Sequence, residues 1–223
     1  MRILIFVTVA LSIVRGHAQG FINLNFESAV LVPILGNPYG DVQFGPAFPG
    51  WSAYYNSTSF SSTDPVTYNN PTLGDQALGL VTPAFFNSSI SNISALLQGS
   101  ASTGRPDVSL AQTGLIPVGT MSLRFLAFQA GPIPRFVVSL NGQPVPYSLV
   151  QNFGSFSEYG ADISAFAGQT TELRFTQRSG ALANNLLLDN ISFSPLGVPE
   201  PGTWALLGLG GALLWCGTRR RGK

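Results

Sequence analysis

From about Gly20 to Pro195, apolar and polar positions alternate in short stretches separated by clusters of Gly, Pro, Asn and Ser, and no stretch carries a long helical period. This pattern predicts an all-β domain of the sandwich or barrel type. In Met121–Phe128, Leu123, Phe125 and Ala127 fall on one face and Arg124, Leu126 and Phe128 on the other. Both faces are apolar enough to place this strand centrally, and Arg124 then needs a partner or an exit to water. Arg135–Val145 reads as a hairpin, with Phe136, Val138 and Leu140 on one face and Asn141-Gly142 supplying a type I′ turn. Thr170–Gln177 follows the same logic, Leu173 and Phe175 inward, Glu172 and Arg174 outward. In the last strand, Leu186–Ser194, strict alternation puts Asp189 on one face with Leu187, Ile191 and Phe193. A carboxylate there requires a specific partner or a bulge. Between these strands, Asp162–Gly168 reads as a single helical turn closed by a glycine. Asn56–Asp75, rich in Ser, Thr, Asn and Pro, reads as a surface loop.

The two ends break the pattern. Met1-Arg2 precedes an apolar run from Ile3 to Val14, followed by small residues at Gly16 and Ala18. A positive start, a short apolar stretch and a small-residue site form a secretory signal peptide, with cleavage placed after Ala18; the alternative is a membrane anchor that stays in place, for which the run is short of the about 20 residues that spanning needs. At the other end, Val198 leads into Pro199-Glu200-Pro201, an uncharged run Trp204–Gly217, and Arg219, Arg220, Arg221 and Lys223. As a helix the run extends about 21 Å, short for a bilayer core of about 30 Å. Trp204 and Trp215 suit the two interfaces, and the terminal cations hold that end in the cytoplasm. The body of the protein then faces outward.

This tail resembles the PEP-CTERM protein-sorting signal of bacterial envelope proteins, in the order and spacing of its tripeptide, its Leu/Gly-rich helix and its Arg cluster. The resemblance implies recognition through Pro199, Glu200, Pro201, Arg219, Arg220 and Arg221 by an exosortase-type membrane protease. It further implies cleavage near the tripeptide and transfer to the cell surface or extracellular matrix of a bacterium. A plain C-terminal anchor without processing is the alternative.

Composition narrows the chemistry of the body. Only 9% of the 223 residues are charged, against roughly 25% in an ordinary soluble domain. From Gly20 to Leu196 nine acids face five arginines, a net of −4. Binding of nucleic acid by phosphate neutralisation needs clustered Lys and Arg and is excluded. His17, the one histidine, leaves with the signal peptide, and Cys216 lies in the tail. The body therefore has no Ser-His-Asp triad, no Cys-His pair, no His- or Cys-ligated zinc and no internal disulfide. A hydrolase acting through Glu158, Asp162 or Glu172 needs two carboxyls across a cleft, and nothing in their spacing selects a pair. The expectation is a non-enzymatic protein. Its low charge and abundant Ser, Thr, Asn and Gln suit a surface working among neutral polysaccharides such as an exopolysaccharide matrix.

Three parts of the chain are expected: a signal peptide at 1–18, a β-sandwich at 19–196, and the sorting signal with its transmembrane helix at 197–223. Asn25-Phe26-Glu27, Pro49-Gly50-Trp51, the turn at 162–168 and the strands at 171–176 and 188–193 are similar to parts of a galactose-binding-like jelly roll. The fold implied is a jelly-roll-like antiparallel β-sandwich. Trp51 and Tyr55 share one face of a strand; as exposed rings they could stack on a sugar, and as buried ones they belong to the core. In jelly-roll sugar binders the first and last strands are neighbours and often hold a structural calcium, so the resemblance makes Glu27 and Asp189 candidate ligands. Carboxylates suit a hard cation wanting 6–8 oxygens; ordinary capping and backbone hydrogen bonding are the alternative roles. The functional expectation is a structural or adhesive surface protein, with a true carbohydrate-binding module as the alternative.

Overall fold

A computed structural model describes residues 20–70, 77–83, 92–99, 106–130, 136–180 and 184–198. The expected signal peptide, the Pro199-Glu200-Pro201 motif, the apolar run and the basic cluster lie outside the described residues. Among those described, no helix is long and apolar enough to cross a membrane.

The described chain is a sandwich of two sheets. In order, the strands are β1 (Val42–Gln43), β2 (Ser52–Tyr55), β3 (Thr58–Ser59), β4 (Pro65–Tyr68), β5 (Leu78–Val81), β6 (Ser94–Gly99) and β7 (Val108–Leu115). There follow β8 (Ser122–Ala130), β9 (Phe136–Leu140), β10 (Gln143–Pro144), β11 (Ser148–Asn152), β12 (Ser157–Asp162), β13 (Thr170–Gln177) and β14 (Asn184–Ser194). One sheet runs β1-β4-β5-β6-β14-β8-β12-β11 and the other β10-β9-β13-β7-β2-β3. Pairing is antiparallel except between β4 and β5. The jelly-roll-like sandwich expected from the alternating pattern is the fold observed.

Most strand expectations hold in detail. β8 lies between β14 and β12, with Leu123, Phe125 and Ala127 in the core. Phe125 gathers Phe136, Tyr147, Tyr159 and Phe175 around it, ring centroids 5.2–6.1 Å away. Asn141 and Gly142 take φ of 48° and 76°, the left-handed pair that a type I′ turn demands. The turn before β13 is a 3₁₀ helix, Ser164–Phe166. The stretch 56–75 departs from expectation. Its polar composition hides two short strands, the edge strand β3, where little apolar alternation is needed, and β4, which lies between β1 and β5; residues 71–75 lie outside the described ones.

The last strand also departs from strict alternation. A bulge between Asp189 and Ser192 shifts its register against β8, with Asn190 at φ 45°. Leu186, Leu188 and Ile191 consequently face the core between the sheets. Leu187 lies on the outer face of the larger sheet, in a second cluster with Val81, Leu96, Phe156 and Phe128. The bulge separates Leu187 from Ile191, which simple alternation would have kept together.

β14 also sets the long axis of the sandwich. Its 11 residues span about 36 Å at roughly 3.3 Å each. At its start lie the ends of β6, β8 and β13; at its end, Ser194 pairs with Ser122 at the start of β8. The body therefore has two poles, and the tail leaves from the Ser194 pole.

Candidate functional site

The tail does not leave freely. Ser194 O accepts from Met121 N at 2.8 Å, and Leu196 N donates to Ser194 Oγ at 3.1 Å. Ser122 Oγ donates to Leu196 O at 2.6 Å. Arg124 Nη2 donates to Gly197 O at 3.2 Å, while Nη1 pairs with Glu158 at 3.1 Å. Val198 packs over Gly160, where a side chain's Cβ would stand 2.9 Å from Val198 Cγ2. Arg124, the cation that needed a partner in a central strand, has three: a carboxylate on β12, the departing backbone and, through Nε at 3.4 Å, the hydroxyl of Ser122. The chain is thus held against β8 and β12 up to the residue before Pro199.

Around this exit stand exposed apolar side chains. Val118 is 89% exposed, Met121 48% and Leu196 69%. Val118 sits in the turn whose Thr120 N–H and Oγ both donate to Pro117 O.

The aromatic candidates belong to the core. Trp51 is 5% exposed; its ring stacks on Phe26 at 5.5 Å and its indole N–H donates to Asn23 O at 3.0 Å. Its face is covered by Phe26 and is not available to a sugar. Tyr55 packs against Phe60, and its hydroxyl accepts from Ala77 N at 2.9 Å. Trp51 thus lies in the core, and Tyr55, half-buried, packs against it. Trp51 stands just before β2, which carries Tyr55, and which side faced the core depended on the other sheet.

Glu27 and Asp189 are brought to one place, on consecutive residues. Phe26, fully buried at φ 56°, turns the chain so that Glu27 reaches the start of β6. There Glu27 accepts from Asn92 N at 2.8 Å, Asn92 Nδ2 at 3.2 Å and Ile93 N at 3.2 Å. Asp189, also fully buried, accepts from Ser94 Oγ at 2.8 Å and from Asn190 N at 2.7 Å. The first and last parts of the body are neighbours, as expected. However, these contacts direct hydrogen-bond donors at the carboxylates. Among the described residues no group of three His, Cys, Asp or Glu side chains gathers that could hold a metal. Both carboxylates take donors from the segment that leads into β6, and so anchor it.

A cavity of about 270 Å³ opens at the pole opposite the tail, where the loop before β12 meets the end of β8. Phe128, Gln129, Ser155, Phe156, Ser157 and Tyr159 contribute to its wall. Gln129 Nε2 is buried with no hydrogen-bond partner among the described residues. At the same pole, the amides of Asn184 and the Oε1 of Gln177 are also buried without partners among them. Burying such groups unpaired costs about 1–3 kcal/mol each. Sequence reasoning missed this pole because Gln and Asn at strand ends are ordinary turn neighbours; only the sheet register gathers them.

Fold and tail together define an exported-type β-sandwich with a C-terminal sorting signal. Residues 197–221 match the family described as the PEP-CTERM protein-sorting motif. That motif indicates an exported protein, anchored in the membrane at its precursor stage. No curated protein matches the chain. Among solved structures, TmCBM61 in complex with beta-1,4-galactotriose is similar at 10% identity, covering 79% of this chain and 99% of that one, with a TM-score of 0.42. The apo form of a cyclase from Fischerella sp. is similar at 15% identity, covering 78% and 94%, TM-score 0.42. The N-terminal cellulose-binding domain of Cellulomonas fimi beta-1,4-glucanase C is similar at 17% identity, covering 68% and 91%, TM-score 0.34.

Proposed function

We propose that this chain is the precursor of a non-catalytic surface or matrix protein. It is exported through its N-terminal signal peptide and held by its C-terminal segment until an exosortase-type protease acts near Pro199-Glu200-Pro201. The mature body then serves a structural or adhesive role at the cell surface or among exopolysaccharide. The observation that carries this reading is the sorting motif at 197–221, joined to the last strand with no intervening domain. A body with no histidine or cysteine between residues 18 and 215 supports the non-catalytic part. Mass spectrometry of the native protein's C-terminus is the test. A terminus near residue 200 is expected, together with loss of surface display when residues 198–223 are deleted. An intact Lys223 on protein at the surface would overturn sorting by cleavage.

A second reading, a carbohydrate-binding module, is favoured by the cavity at the far pole. Aromatic rings and serine hydroxyls in its wall suit a neutral polyhydroxylated ligand, since few precisely placed polar groups in an apolar wall give orientation and specificity. Affinity electrophoresis through neutral polysaccharides tests it. Retardation that Gln129→Leu abolishes supports this reading; equal mobility in every gel removes it.

A further inference from the structure

We propose that the pole from which the tail leaves is a lipid-facing surface, with Val118, Met121 and Leu196 resting against the outer leaflet while the precursor is anchored. The inference rests on the anchored-precursor reading above and goes beyond it, because an anchored domain need not touch the bilayer.

Tether length carries the argument. Val198 packs against Gly160, and the uncharged run begins at Trp204. Only residues 199–203 lie between. The path from Val198 to Trp204 reaches at most about 22 Å at full extension, at 3.6 Å per residue. The body is about 36 Å long along β14. A tether shorter than the body, held at one pole by Ser122, Arg124 and Gly160, fixes which pole lies near the membrane. It also keeps that pole at a high effective concentration at the lipid surface, so weak apolar contacts suffice.

The chemistry of that pole matches lipid. Three apolar side chains lie at this pole: Val118, 89% exposed, in the turn that leads into β8, Met121, 48% exposed, just before β8, and Leu196, 69% exposed, on the departing chain. Isolated exposed apolar residues are ordinary on any protein, and others occur elsewhere on this one. These three differ in their place: Met121 lies within van der Waals reach of a Cβ at Gly197, and Leu196 belongs to the departing chain itself. The neighbouring guanidinium of Arg124 is committed to Glu158 and Gly197 O, so among the described residues this pole offers no spare cation for anionic headgroups. Asp162 engages its own turn, accepting from Ser164 N at 2.9 Å. Contact should therefore be apolar and indifferent to lipid charge, unlike a polybasic surface, whose attraction depends on anionic lipid.

The experiment uses the full chain in phosphatidylcholine vesicles, with Cys216→Ser and one added cysteine carrying a polarity-sensitive fluorophore. The positions are Val118→Cys, Leu196→Cys and, on the far loop, the 55% exposed Phe153→Cys. Flotation of the vesicles reports anchoring independently. Blue-shifted emission at 118 and 196, quenched by nitroxide-labelled lipid at least threefold more than at 153, is the expected result. Adding anionic lipid should leave it unchanged. Chains that float while all three positions stay solvent-like would overturn the lipid contact and leave the anchor standing. Chains that fail to float would remove the anchored reading and this inference with it. A blue shift at 118 and 196 without lipid quenching would mean that a protein neighbour covers the pole, and that too overturns it.

Discussion

Ser122 Oγ donates to the carbonyl of Leu196 at 2.6 Å, tying the first residue of a central strand to the segment that enters the sorting motif. Ser122 is fully buried, so its hydroxyl has no competing water. Ser122→Ala removes the bond to Leu196 O and the longer one that Oγ accepts from Arg124 Nε at 3.4 Å, for a loss of about 1–2 kcal/mol. Combined with Arg124→Met, it should free residues 195–198. Hydrogen exchange of the peptide spanning this stretch should speed at least tenfold while the β8–β14 pairing stays protected. Unchanged exchange would mean that the packing of Val198 and the bonds to Ser194 hold the tail.

Packing over Gly160 has its own test. A Cβ there would approach Val198 Cγ2 to 2.9 Å and Val150 Cγ2 to 3.0 Å, and the tail segment has more freedom to yield than the β11–β12 ladder. Gly160→Val should therefore displace Val198 and speed exchange at residues 196–198, with a loss of global stability of about 1–3 kcal/mol from overpacking. Denaturation in urea and exchange on the same sample separate the two effects.

Trp51 should behave as a core residue under substitution. Trp51→Ala leaves a void beside Phe26 and should cost about 3–5 kcal/mol. Trp51→Phe keeps the stack on Phe26 and loses the indole bond to Asn23 O; a cost of about 1–2 kcal/mol is expected. Urea denaturation measures both. If any polysaccharide retards the folded protein on gels, Trp51→Phe should not alter that retardation.

The carboxylates that anchor β6 differ in burial and should differ in cost. Asp189→Ala strands the buried hydroxyl of Ser94 and frees the N–H of the exposed Asn190, for about 1–3 kcal/mol. Glu27→Gln keeps an acceptor for Asn92 N and should cost about 1 kcal/mol or less. Since N–H and O–H donors surround both groups, neither EDTA nor millimolar calcium should move the melting temperature. A rise with calcium that Asp189→Asn abolishes would establish a metal site instead.

Much of this arrangement was legible in the chain. Period-two alternation located β8, β9, β13 and β14, and Asn141-Gly142 fixed a hairpin, because these signals are local. The carboxylate at 189 on an apolar face announced a bulge or a partner, and both are present. What alternation could not say was which face of β2 met the other sheet, so Trp51 stayed ambiguous until Phe26 was seen against it. Nor could it find β3 and β4, whose pairing partners supply the order that their own residues lack. The gathering of Gln129, Gln177 and Asn184 at one pole is a product of sheet register, which no single stretch of sequence encodes.

At high pH the aromatic cluster should set the limit of stability. The Tyr147 phenol is pushed up from 10.0 to about 12, first by burial and then by the neighbouring phenolate of Tyr159. Its hydroxyl donates to Phe136 O at 3.1 Å, and its ring stacks on Phe136 at 4.5 Å; ionisation would lose the donor. Because the folded pKa lies above the unfolded one, the unfolded chain gives up its proton first. The stabilising contribution is complete below about pH 10, falls as pH rises, and is gone above about 12. Two pH units correspond to about 2.7 kcal/mol; the ring is partly reached by solvent, so a loss of about 1–2 kcal/mol is expected. Tyr147→Phe removes the titration, so this alkaline slope should flatten while stability at pH 7 drops by about 1 kcal/mol. Urea denaturation at pH 8, 10 and 11.5, with phenolate absorbance followed on both proteins, measures the slope. Equal slopes in the two proteins would place the alkaline sensitivity on another tyrosine.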